Sequence, residues 1–206
     1  MLPEVFETNL DELAKLAEET NIAIALAEAY NPKQLSFLGV HNELRNALFH
    51  VMGMFKVRNE EVKYNDEFGA AKSHFRRAGC DAYELLCMSC IEHITDLLFK
   101  YDHEDINIAI PGYYTEIRKT ALDAKNKVAE MKQNKDLKKK SVEALFEYYF
   151  NQAELLVKYV KRINEYIPAI IEIQKQRGKD KRKERLISVG IAIVIAAVSF
   201  VLGNMF

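Results

Sequence analysis

The chain has 206 residues, 49% hydrophobic and 29% charged, which is enough apolar material for one packed domain and excludes a wholly disordered chain. A net charge of −1 excludes a uniformly basic nucleic-acid binder, so any charge-based recognition must come from local clusters. Eight glycines, four prolines and no tryptophan leave long stretches rich in Ala, Leu, Glu and Lys, which favour helix over strand.

The elements follow in chain order. A first helix is expected over 3–30, anchored by Leu10, Leu13, Leu16, Ala17, Ile24 and Leu26. Asn31-Pro32 ends it, because proline cannot continue a helix and disfavours helix in the residue before it. A second helix covers 33–57. The polar segment 58–66 reads as a loop, and a third helix covers 67–100. A short break at 102–105 precedes a fourth helix over 105–133, whose start is interrupted by Pro111-Gly112, which allows a true beginning near Tyr113. A turn at 134–136 leads to a fifth helix over 137–177, with Pro168 as a kink and Gly178 as a hinge.

Residues 186–206 carry no charge. As a helix they would rise roughly 30 Å, the thickness of a bilayer's hydrocarbon core. Lys175, Arg177, Lys179, Lys181, Arg182, Lys183 and Arg185 precede them, which places the body on the cytoplasmic side. The expected fold is therefore all-α: an up-and-down bundle of about five helices followed by one C-terminal transmembrane helix. The expected divisions are a bundle over 1–173, a basic linker over 174–185 and a span over 186–206. Ser188, Ala192, Ala196, Ser199 and Gly203 share one side of that span, a face suited to close helix–helix approach in a homo-oligomer.

Cys80, Cys87 and Cys90 are odd in number and closely spaced, so they form no disulfide framework. Cys87 and Cys90 make a CxxC inside a helical pattern without a second pair of zinc ligands. They read as small buried hydrophobes in a reducing compartment, and no metal or other cofactor is expected.

The segment most informative about chemistry is 41–50, HNELRNALFH, in which Arg45-Asn46 is followed after three residues by His50. This R-N-x-x-x-H pattern resembles the signature of the HEPN superfamily. The resemblance implies a dimerising helical bundle, and in many members a metal-independent endoribonuclease serving as a toxic effector in prokaryotic antiviral defence. It implies that Arg45 binds phosphate, His50 acts as general acid or base, and Asn46 orients the pair. The chemistry suits these types: His titrates near neutrality, and Arg keeps its charge and matches phosphate geometry. On one ideal helix, however, residues 45 and 50 lie roughly 140° apart, so a single helix does not aim both at one phosphate. The resemblance supplies the remedy, a composite site between two copies. It also carries a departure, since in many members the motif lies on a late helix rather than the second.

Further candidates for binding RNA, an oligonucleotide or a nucleotide are His41, on the same helical side as His50, and His74 and Arg77. His74 and Arg77 share a third-helix stripe with Asp81 and Glu84 that either pairs with Arg45 across the bundle or is a salt-bridged surface. Lys138, Lys139 and Lys140 end a basic run that begins at Arg118 and suits a phosphate backbone. No glycine-rich phosphate loop, HExxH or GxSxG is present. A second functional class stays open: a non-catalytic effector whose body binds a nucleotide and controls an oligomeric, membrane-perturbing C-terminal helix.

Overall fold

A computed structural model describes residues 3–30, 37–136 and 142–203, with the side chains of 4–30, 37–131 and 142–193. The chain is all-α. Helix α1 spans Pro3–Tyr30, α2 Leu38–Lys56, α3 Glu61–Lys100, α4 His103–Ala109, α5 Arg118–Asp136 and α6 Val142–Gly203, with a π-helical turn at Tyr113–Ile117 before α5.

Helix α3 is the hub, with α1, α2, α5 and α6 packed against it. Paired contacts give the directions. Phe6 meets Tyr64 and Tyr30 meets His93, so α1 runs parallel to α3. The Sγ–H of Cys80 donates to the Val142 carbonyl and that of Cys87 to the Tyr149 carbonyl, so α6 is parallel too. Helix α2 runs the other way, with His50 against Glu67 and Glu43 against His74.

The long α3 carries two cores. Along its C-terminal part, Leu86, Ile94, Ile106, Tyr113, Tyr149, Leu156 and Ile163 are fully buried together with Cys87 and Cys90. Near its start a smaller cluster joins Leu13, Met54, Tyr64 and Ala71, flanked by Phe6, Leu10 and Phe68. Complete burial of side chains of this size stabilises by roughly 1.5–3 kcal/mol each. Tyr64 explains why α3 begins at Glu61, six residues before the expected start: a polar segment with one deeply buried aromatic is still a helix when its neighbours bury that ring. The connection between α2 and α3 shrinks to the turn at 57–60.

Pro111-Gly112 separates two helices rather than interrupting one. Gly112 holds φ at 77°, which a side-chain-bearing residue rarely adopts, and Asp102 caps α4 by accepting from the Glu104 N–H at 2.9 Å. The expected turn at 134–136 is helical, as the end of α5. Helix α6 continues through both Pro168 and Gly178.

The expected transmembrane helix is corrected here. Residues 186–203 form no helix of their own but are the end of α6, and among the described residues no helix is long and apolar enough to cross a membrane. The uncharged stretch with described side chains is 186–193, immediately after the charged run 175–185. Ser188 and Ala192 are exposed on this stretch, whereas the side chains of Ala196, Ser199 and Gly203 lie outside the described residues.

Candidate functional site

Antiparallel packing of α2 on α3 brings two Glu–His pairs together. Helix α2 carries Glu43 and, seven residues on, His50; α3 carries Glu67 and, seven residues on, His74. Seven residues are close to two helical turns, so each Glu and His share a face. Opposed directions then cross the pairs. His50 Nδ1 lies 2.7 Å from Glu67 Oε2, and His74 Nδ1 lies 2.7 Å from Glu43 Oε2. The two imidazoles stack, with centroids 5.2 Å apart and planes 17° from parallel.

Arg77 completes the cluster. Its Nε–H donates to Glu43 Oε2 at 3.0 Å and its Nη1 to Ser73 Oγ at 2.7 Å. Its Nη2 lies 2.7 Å from His74 Nδ1, a contact that is a hydrogen bond only in the tautomer leaving Nδ1 bare. With Nδ1–H directed at the carboxylate, Nε2 keeps the free lone pair. Glu43 feels opposing influences. Desolvation pushes its pKa up, but hydrogen bonds from His74 and Arg77 and the guanidinium charge together outweigh that and hold it below the usual glutamate value.

Gly53 makes room for the second pair. A Cβ there would sit 2.5 Å from Glu67 Oε2 and 2.6 Å from its carboxyl carbon, so only a bare backbone lets that carboxylate lie beside His50. The cluster is open to solvent on one side: the side chains of His50 and Glu67 are 35% and 33% exposed, those of His74 and Glu43 18% and 25%. Carboxylates that orient imidazoles at a solvent-reachable edge suit proton transfer.

Of the residues expected from sequence, His50, His74 and Arg77 are brought together here. Arg45 is not. It is exposed on α2 with no partner among the described residues, and Arg77 meets Glu43 rather than Arg45. Asn46 is half-buried, and His41 is exposed in the first turn of α2. Lys138, Lys139 and Lys140 lie outside the described residues. Glu43 and Glu67 were missed from sequence, although a Glu-x6-His spacing occurring on each of two adjacent helices was there to find.

A separate cavity of about 740 Å³ lies between α1 and α6, bordered by Ile22, Tyr83, Phe150, Lys158 and Arg162, and shares no residue with the cluster. Among the described residues no group of His, Cys, Asp and Glu has the geometry of a metal site. No protein-family model, no curated protein and no solved structure matches this chain.

Proposed function

We propose that the chain is a HEPN-like, metal-independent endoribonuclease that acts as a homodimer and, as a toxic effector, degrades RNA in the cell that makes it. The observation that carries this reading is His50: a third-exposed imidazole held by a carboxylate at 2.7 Å, in the position that the R-N-x-x-x-H resemblance assigns to the acid or base. Arg45 lies on the same helix, exposed and available to a phosphate.

The dimer follows from what Arg45 lacks. It does not reach the His50 cluster of its own chain, so a second copy must bring the guanidinium to the phosphate. The surface around Arg45 suits that meeting. Leu48, Phe49, Met52 and Phe55 are exposed on α2 at 59%, 70%, 53% and 44%, an apolar stripe at helical spacing. Joining two such stripes buries apolar area and brings the Arg45 side chains of the two copies to the seam.

The test is cleavage of single-stranded RNA by the purified full chain in the presence of a chelator. The expected products carry 2′,3′-cyclic phosphate and 5′-hydroxyl ends. Replacing His50 by Ala or Arg45 by Ala should each cut the rate by roughly a hundredfold or more, the range for losing an acid–base group or a charge clamp. An intact RNA substrate after prolonged incubation with wild-type protein would sink the reading.

A further inference from the structure

We infer that His74 is a second catalytic residue and that the acid and the base of RNA cleavage are both supplied by one protomer, as the stacked His50–His74 pair; this rests on the ribonuclease reading above. The resemblance concerns α2 alone and says nothing of α3. What brings His74 in is the reciprocal arrangement of Glu43 with His74 and Glu67 with His50.

Four features favour work over mere bracing. First, the two rings stack at 5.2 Å. Two groups that both become cations on protonation repel at that distance, so a network serving only to hold helices together gains nothing from placing them there. Second, each ring is anchored through Nδ1, and neither Nε2 has a partner among the described residues. Carboxylates at Nδ1 fix ring orientation and leave Nε2 to exchange a proton. Third, both rings reach solvent. Fourth, among the described residues three charged groups meet the pair. Glu67 faces His50 from α3, Glu43 faces His74 from α2, and Arg77 is tied to Glu43, Ser73 and His74. Cleavage requires one group that accepts a proton and one that donates one, and two adjacent rings held by carboxylates supply both.

The step balances without an outside reagent. The neutral imidazole takes the proton of a ribose 2′-hydroxyl, and the 2′-oxygen forms a bond to phosphorus. The phosphorus–5′-oxygen bond breaks, and the imidazolium gives its proton to the departing 5′-oxygen. The products are a 2′,3′-cyclic phosphate and a 5′-hydroxyl, with the proton moved from one ring to the other. Arg77 is a positioning residue in this scheme, since its guanidinium is already occupied.

The experiment is a pH–rate series for cleavage of a single-stranded oligoribonucleotide by wild type, His50→Asn, His74→Asn and Glu43→Gln, with His103→Asn as a control outside the cluster. Wild type should give a bell. Each cluster histidine variant should lose roughly a hundredfold, and His74→Asn should lose one limb of the bell. Glu43→Gln keeps both rings and should lose about tenfold, which covers the case where His74→Asn fails to fold. If wild type cleaves, His74→Asn folds and it retains its rate within about threefold with the bell intact, the pair is overturned while the ribonuclease reading stands. If wild type does not cleave, that reading falls and takes the pair with it.

Discussion

The imidazoles of His50 and His74 lie face to face at 5.2 Å, and each is held by a carboxylate borrowed from the other's helix. Neither helix could hold its own histidine this way, because a Glu seven residues before a His stands about two turns from it. The site therefore exists only when α2 and α3 are packed in one register, and the predictions follow from that dependence.

Gly53→Ala should separate stability from activity. A methyl group at this position meets the end of the Glu67 side chain, which can swing away, and a helical Ala gains up to about 1 kcal/mol over Gly. The melting temperature should hold or rise while RNA cleavage falls about tenfold. Combining Gly53→Ala with Glu67→Gln should cost little more than either alone, because both remove the same contact.

Glu43 ties acid stability to the site. Its folded pKa lies below the ordinary value of 4.5, so its stabilising contribution is complete above that value and is lost as pH falls through the lower folded value. Urea midpoints measured from pH 7 down to pH 3 should fall less steeply at the acid end in Glu43→Gln than in wild type.

Arg177 anchors the last packed turn of α6. Its Nη2 lies 3.0 Å from Asp105 Oδ1, and Asp105 is only 2% exposed. Arg177→Ala leaves that carboxylate buried without its cation. A loss of about 3 kcal/mol in urea unfolding is expected, the scale for breaking a buried ion pair from one side.

The three thiols should be silent in the folded protein. Cys80, Cys87 and Cys90 are all buried, and burial pushes the thiols of Cys87 and Cys90 well above the ordinary cysteine range. A disulfide-exchange reagent at pH 8 should label them only at the rate of unfolding, and all three at once in denaturant.

Phe49→Asp should split the assembly. Phe49 is 70% exposed in the apolar stripe beside Arg45, so a charge there costs the monomer little and the proposed dimer much. Light scattering should report a halved mass, and RNA cleavage should fall with it.

Apolar spacing made most helices legible, and Pro3–Tyr30 was bounded as the structure has it. The start of α3 was not, because 61–66 is polar and its one decisive residue, Tyr64, is buried by Phe6 and Leu13 from elsewhere in the chain. Pro168 and Gly178 are local breakers that sequence reads as a kink and a hinge, yet α6 passes through both. The separate C-terminal span was not found either, because among the described residues no helix is long and apolar enough to cross a membrane. At the site, the resemblance pointed to His50 and a surface stripe pointed to His74 and Arg77. Their assembly was hidden because it depends on register across a turn. Glu43 and Glu67 looked like ordinary surface charges until the two helices were set against each other.

The unbroken run of α6 has a thermodynamic consequence for its far end. From Gly178 to Ile193 every residue is exposed, so this stretch has no tertiary packing among the described residues. As a free peptide it would face the nucleation penalty of a first turn, a factor of roughly a thousand. Grafted onto a helix already nucleated by the core, it meets only the propagation step at each residue. Its amide protons should then exchange in a gradient, slow near Arg177 and faster with every turn beyond it, with the ends melting long before the body unfolds.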